Sequence, residues 1–285
     1  YFVIQLLLVL FFLPEFKSDS AYYYRLAQES LQHNSIYPAP LHLYEDFISA
    51  PLNVNLMLIA LMIYNNAAAI GILNIVINAL LLLIVFKISA AIYNKHIARI
   101  SVLVFIFYLN TLGLVLLNLT ELLYVVLLFL SIYFFMKEKY YTYFIAGLFA
   151  AASVSVRPLG FLLLFSFIVY FFLIRNNKKI LKPLLLTFTG FLIFIISFGG
   201  FIKLNFGDFV FMSTNGSYNL LISANNYSTG AYNEDIFAAG EPGLITDDKI
   251  KTYKEKSAYW KTLAINWIKE NPVEWLSKIP LKIVH

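Results

Sequence analysis

Charged residues are few in this chain and cysteine is absent, and each lack excludes a class of protein. Charged side chains make up 13% of the 285 residues, whereas soluble domains contain about a quarter. Cysteine is absent, which excludes disulfides, thiol catalysis and cysteine-ligated metals. The four histidines show no ligand pattern. Hydrophobic residues reach 60% with a mean hydropathy of +0.75, so the composition predicts an all-α polytopic membrane protein.

Long apolar runs predict about seven membrane spans. They cover residues 1 to 13, 67 to 92, 97 to 117, 119 to 136, 141 to 156, 158 to 174 and 180 to 203. The first run is short and already under way at residue 1, so we interpret it as a truncated span and the chain as a fragment. Segment 47 to 64 is also apolar, but Pro51, Asn53 and Asn55 near its start suit an interfacial helix better.

Positive charge supports an interfacial position for 47 to 64. The loops after the second, fourth and sixth spans then share one side and hold most of the basic residues: Lys87, Lys95, Arg99, Lys137, Lys139, Arg175, Lys178, Lys179 and Lys182. The first loop and the short opposite turns hold only Lys17, Arg25 and Arg157, which fits the positive-inside rule. The sequence thus predicts a transmembrane module, 1 to 204, whose first loop, 14 to 66, shares the non-cytoplasmic face with a second loop, 205 to 285.

The first loop carries the candidate catalytic residue, Asp19, directly after an apolar run that Pro14 ends. Asp19 is interpreted both as a helix N-cap and as a general base that the helix dipole keeps ionised. Tyr22 and its two neighbours could stack on sugar or form an aromatic belt at the membrane edge. Glu45 and Asp46 could cap the interfacial helix, share in catalysis or bind a divalent cation.

Two charged residues lie at the ends of predicted spans. Glu121 is near the outer end of the fourth span, where a carboxylate is costly enough to be a functional candidate. Arg157 stands between two runs that are shorter than the roughly 20 residues needed to cross a bilayer. This arginine could bind a lipid phosphate through paired donors, form a structural pair with Glu121, or extend harmlessly to the surface.

The second loop is polar and rich in turn formers. Asn225, Asn226 and Tyr232 have side chains suited to sugar hydroxyls, although a solvated loop would have the same composition. Farther on, apolar residues recur at helical spacing from 247 to 270, which predicts an amphipathic helix on the membrane surface. Asn271 and Pro272 then predict the start of another helix, leading into a further span.

These features together resemble the polyprenyl-phosphate-dependent glycosyltransferases of the GT-C superfamily. They are most similar to bacterial family 39, with its protein mannosyltransferases and aminoarabinose transferases. The resemblance rests on Asp19 before a tyrosine-bearing helix, on prolines and an interfacial helix, on the pair Arg157-Pro158, and on an Asn-Asn and Thr-Gly-x-Tyr segment at 225 to 232. The family usually has a second acid where this chain has Ser20, and a glycine where it has Ala224.

The resemblance implies a GT-C bundle in a bacterial inner membrane, with its active site on the non-cytoplasmic face. It implies a polyprenyl-phosphate sugar as donor, a lipid, glycan or protein as acceptor, and no nucleic-acid partner. Asp19 would be the base and Arg157 would bind the phosphate, while a divalent cation stays open. The alternatives are a transporter or flippase of a lipid-linked sugar, and a membrane scaffold without chemistry.

Overall fold

The computed structural model describes residues 1–12, 16–108, 110–174 and 181–280. This part of the chain is 75% helical and contains no strand. Its α-helices are α1 (Phe2–Phe12), α2 (Asp19–Gln32), α3 (Pro51–Ile63), α4 (Ala67–Ile92), α5 (Lys95–Phe107), α6 (Asn110–Leu117), α7 (Thr120–Phe135), α8 (Tyr140–Val156), α9 (Phe161–Ile174), α10 (Leu181–Phe206), α11 (Gly216–Ser223), α12 (Tyr253–Glu270) and α13 (Pro272–Lys278). Pro14, Arg175, Lys178 and Lys179 lie outside the described residues.

Two of the described helices are long and apolar enough to cross a membrane, judged by length and composition. They are α4 and α10, each of 26 residues, whereas the other apolar helices have 10–17 residues. Helix α4 coincides with the predicted span 67 to 92. The predicted span 97 to 117 is divided between two helices: α5 ends at Phe107, Tyr108 has an extended backbone, and α6 begins at Asn110. The seven-span bundle stays a prediction.

The chain divides into two compact units. The first contains residues Tyr1–Ala39 and Ala50–Met212, and the second contains Pro40–Ser49 and the chain from Ser213 onward. Most of the predicted first loop therefore groups with the apolar helices, while its middle segment groups with the second loop.

Helix α8 is central to the first unit, where it contacts α3, α7, α9 and α10. Its second half is a run of small and β-branched residues that are all buried, and small side chains let helix backbones approach closely. Helices α8 and α10 approach each other closely at two glycines. A Cβ on Gly147 would lie 1.9 Å from the Thr187 carbonyl oxygen, and one on Gly190 would lie 2.1 Å from that of Phe144.

We expect Gly147→Ala to destabilise the protein, because the new methyl group would meet a backbone oxygen of α10 that cannot rotate away. Overpacking of this kind costs about 1–3 kcal/mol. Gly200→Ala in α10 is the matched control, since a Cβ there meets nothing within 4 Å, and alanine favours a helix by about 0.5–1 kcal/mol. Thermal unfolding of the purified variants, followed by circular dichroism, measures both effects. Equal melting temperatures for the two variants would contradict the close contact.

Helix α3 lies within the segment 47 to 64, which the sequence predicted to be an interfacial helix. It begins at Pro51 after Ala50, whose φ is 39°, so Glu45 and Asp46 do not cap it and the capping interpretation of these acids is wrong. One face of α3, including Asn53 and Met57, is buried, and the helix contacts α2, α4 and α8. This face packs on protein.

The second unit is built on α11 and α12. Its core consists of Leu221, Ala224, Ile236, Trp260 and Ala264. A capping box between Thr252 and Glu255 begins α12. The predicted helix is thus confirmed from Tyr253 onward, its position on a membrane surface stays a prediction, and its apolar stripe packs mainly within the unit. Trp260 is only 4% exposed, and its indole N–H donates to the Gly243 carbonyl oxygen at 3.0 Å.

Candidate functional site

The candidate base lies in the first turn of α2. The N-cap of this helix is Ser18, with φ 51° and no capping hydrogen bond from its side chain, and Asp19 is the first helical residue. The N-cap interpretation of Asp19 is therefore wrong. Its exposed carboxylate lies in the first turn of α2. Ser20 makes the local side-chain bonds, accepting from the Lys17 N–H at 2.9 Å and donating to the Lys17 carbonyl oxygen at 2.8 Å.

Tyr23 lies near both Asp19 and the predicted phosphate-binding arginine. Residues four apart on a helix lie on one face, so Tyr23 shares the face of Asp19. The pKa of Tyr23 is raised to about 12, chiefly by burial and then by the negative charges of Asp19 and Glu121, while Arg157 and a hydrogen bond with the Thr120 side chain oppose the rise. These four side chains therefore lie close to Tyr23.

Arg157 is held by two residues at the start of α7. Its Nε donates to Thr120 Oγ1 at 2.8 Å, and its Nη2 donates to Glu121 Oε1 at 2.5 Å. The predicted pair with Glu121 is thus confirmed. The Thr120 hydroxyl accepts from Nε, so its own proton is available to the Tyr23 oxygen. Arginine, threonine and tyrosine consequently form one hydrogen-bonded chain.

The local backbone explains where the guanidinium lies. Helix α8 ends at Val156, and Arg157 takes an extended conformation with φ −141°, as residues before proline commonly do. Its N–H closes the helix by donating to the Ser153 carbonyl oxygen at 2.8 Å. The side chain is 35% exposed, and that of Glu121 is 40% exposed. In the described part of the chain Nη1 has no protein partner, so one edge of the guanidinium is available to a ligand.

The sequence pattern indicated Tyr22 as a candidate site residue but did not indicate its neighbour, Tyr23. The Tyr22 ring lies under the Arg25 guanidinium, 5.0 Å from the ring centroid, and Arg25 pairs with Glu29 at 2.8 Å. The four-residue spacing from Asp19 to Tyr23 was a usable signal, because it places both on one helix face. Thr120 gave no such signal, since its role depends on a tertiary contact.

The predicted acidic pair lies in the second unit. Asp46 is 60% exposed and pairs with Lys256 Nζ at 2.8 Å, and the same ammonium donates to the Tyr44 carbonyl oxygen at 2.8 Å. Glu45 is half-buried. Within the described ranges no group of three or more His, Cys, Asp or Glu residues could hold a metal ion.

The three polar residues predicted from the second loop have different environments. Asn225 is 3% exposed; its amide donates to the carbonyl oxygens of Leu221 and Ile222 and accepts from the Tyr227 N–H. Asn226 is exposed and lines a cavity with a volume of about 280 Å³. Tyr232 is 70% exposed and donates to Glu234. Asn225 therefore shapes the loop, while Asn226 faces a space that a ligand can enter.

We expect Tyr23 to ionise about two pH units above an ordinary tyrosine. A raised pKa in the folded state stabilises folding below pH 10 and loses this contribution as the pH rises towards 12. The difference between ultraviolet titrations of wild-type protein and Tyr23→Phe isolates this phenol, and the melting temperature of Tyr23→Phe should fall less between pH 10 and 12. A difference spectrum with its midpoint near pH 10 would contradict the partly buried position of Tyr23.

Comparison of the chain with protein-family models, curated proteins and solved structures gave no match. The resemblance to the GT-C glycosyltransferases therefore stays a prediction from the residues.

Proposed function

We propose that this protein is a membrane glycosyltransferase that moves a sugar from a polyprenyl-phosphate carrier to an acceptor hydroxyl. The observation that carries the proposal is the network of the first unit. Asp19 shares a helix face with Tyr23, and Thr120 connects Tyr23 to Arg157. A carboxylate that can accept a proton and a cation that can bind phosphate thus both lie within electrostatic reach of Tyr23.

The reaction we propose is a single displacement. The acceptor oxygen attacks the anomeric carbon while the bond from that carbon to the phosphate oxygen breaks. The phosphate keeps the bonding electrons and leaves as an anion, and Asp19 takes the proton of the acceptor hydroxyl. Because attack comes from the face opposite the leaving group, the anomeric configuration inverts, as in inverting glycosidases.

Arg157 supplies the positive charge that the leaving phosphate needs. Its Nη1 is directed to no protein group among the described residues, whereas Nε and Nη2 are fixed by Thr120 and Glu121. A fixed guanidinium loses little conformational freedom on binding, which makes it an effective phosphate ligand. Tyr23 stays protonated at neutral pH and is a positioning residue that can donate a hydrogen bond next to Asp19.

A membrane location supports a lipid-borne donor. Helices α4 and α10 have the length and hydropathy of membrane spans, and the basic loops of the predicted topology favour a multi-pass protein in the inner membrane of a bacterium. The site then lies on the non-cytoplasmic face. The acceptor is a hydroxyl of a lipid, glycan or protein.

The experiment is a transfer assay in proteoliposomes with a panel of synthetic polyprenyl-phosphate sugars and hydroxyl acceptors. Mass spectrometry identifies the product, and nuclear magnetic resonance reads its anomeric configuration. We expect a glycosylated acceptor of inverted configuration. A retained configuration would contradict the single displacement. Passage of a fluorescent lipid-linked sugar across the bilayer, without a new glycosidic bond, would instead identify a flippase.

A further inference from the structure

A cleft in the second unit lies where the loop after α11 meets α12. Its volume is about 280 Å³, and its polar and aromatic lining includes Asn226, Tyr227, Glu241, Asn266, Trp267 and Glu270. We propose that this cleft binds one uncharged saccharide unit. Equilibrium binding of a saccharide in this cleft does not depend on the transfer reaction proposed for the first unit.

The walls of the cleft are fixed by contacts within the second unit. The Trp267 indole N–H donates to Asn226 Oδ1 at 2.6 Å, and the Tyr227 hydroxyl donates to Glu241 Oε1 at 2.6 Å. Lys278 Nζ lies 4.7 Å from the centre of the Trp267 ring and donates to the Asn225 carbonyl oxygen at 3.1 Å. A preformed wall of this kind reduces the entropy that ligand binding costs.

The free polar groups of the cleft include both donors and acceptors. An indole N–H can only donate, so Asn226 presents its oxygen to Trp267 and its NH₂ group is left for a ligand. In the described part of the chain the Asn266 amide and the Glu270 carboxylate have no protein partner, and Glu241 keeps one oxygen free. Hydroxyl groups both donate and accept, and therefore match such a mixed set.

Charge separates saccharides from other small polar ligands. Glu241 and Glu270 give the lining negative charge, which disfavours phosphates and uronic acids. An ammonium ligand would suit the two carboxylates, but it has no acceptor for the amide N–H groups of Asn226 and Asn266. The aromatic rings of Tyr227 and Trp267 add the apolar surface that the C–H faces of a sugar need.

The size of the cleft fits one sugar ring. A volume of about 280 Å³ lies at the lower end of the roughly 300–1,000 Å³ of small-molecule sites, which suits a single sugar ring better than an oligosaccharide. Because each non-hydrogen atom of a ligand contributes only a limited binding free energy, we expect a single hexose in an open site to bind with a Kd on the order of 1 mM.

The test is a titration of the full chain in detergent micelles with neutral methyl glycosides, followed by saturation-transfer nuclear magnetic resonance. Free glucuronate and spermidine are the anionic and cationic probes. We expect at least one methyl glycoside to bind, and we expect Asn266→Ala and Glu270→Gln to weaken it at least fivefold. Asp248→Asn is the matched control, because Asp248 is an exposed acid of the same unit outside the lining.

Three results would overturn the proposal: no response to any neutral glycoside, equal binding by Asn266→Ala and Asp248→Asn, or a response to spermidine alone. Circular dichroism checks that the variants fold. We expect them to fold, because the substituted residues are exposed. Asp19→Asn should bind the glycosides as wild type does. A variant that loses sugar transfer but still binds glycosides therefore tests the proposed function of the first unit. A variant that loses only glycoside binding tests the proposed cleft.

Discussion

Asp19→Asn should lower the rate of sugar transfer about 10²- to 10⁴-fold, the range that general-base catalysis contributes. Asparagine keeps the shape of the side chain but cannot accept the proton of the acceptor hydroxyl. The substitution should leave folding nearly unchanged, since the carboxylate is exposed and its interaction with the helix dipole contributes only about 0.3–1 kcal/mol. Initial rates in proteoliposomes at matched protein density measure the effect.

Glu29→Gln is the matched control for Asp19→Asn. Glu29 lies on the same helix and pairs with Arg25 at 2.8 Å in a partly exposed i, i+4 arrangement, and such surface pairs contribute little. Its rate should stay within twofold of wild type. A wild-type rate for Asp19→Asn, or an equal loss in both variants, would contradict the role of Asp19 as the base.

Arg157→Ala should lower transfer about 10²- to 10³-fold, the loss seen when one donor to developing negative charge is removed. The substitution also removes the Nε bond to Thr120 and leaves Glu121 without its partner. A slower enzyme alone would thus not separate phosphate binding from neutralisation of Glu121. Rates with saturating donor, and the KM for the donor, are the quantities to compare.

The double variant Arg157→Ala with Glu121→Gln separates the two roles. If Arg157 only neutralises Glu121, removing that charge restores the rate. If Arg157 binds the leaving phosphate, the double variant stays as slow as Arg157→Ala, while Glu121→Gln alone binds the donor more tightly because the guanidinium no longer shares its charge. Recovery to within threefold of wild type would contradict phosphate binding.

The sequence predicts best those helices whose extent depends on residues within or next to the helix. Helix α4 is a continuous apolar run, and Asn66 caps it by accepting the Ala68 N–H at 2.9 Å, so both its extent and its start can be read from the chain. The break after Phe107 could not be predicted, because no proline or glycine marks it. The stripe on α12 correctly indicated a helix, but periodicity cannot distinguish lipid from a protein core as the partner of an apolar face.

The sequence indicated the individual candidate residues, but it did not predict the tertiary contacts between them. Asp19 was recognised from its position after an apolar run, and Arg157 from its place between two short spans. Their connection through Tyr23 and Thr120 depends on α2 meeting the start of α7, which no local pattern encodes. Asn225 lies in a segment whose composition is typical of a ligand-binding loop. Its amide nevertheless points inward, where it donates to two backbone carbonyl oxygens of α11, because buried carbonyl groups need hydrogen-bond donors.

The glycine contact between α8 and α10 also constrains the order of assembly during synthesis. A nascent chain that ends before residue 181 has made α8 and α9 but lacks the helix whose backbone fits against Gly147. Until α10 is made, the groove on α8 is open to other helices, including those of neighbouring chains. Association of incomplete chains is a recognised route to misassembly, so slow synthesis between residues 156 and 206 would favour aggregates over the native helix pair.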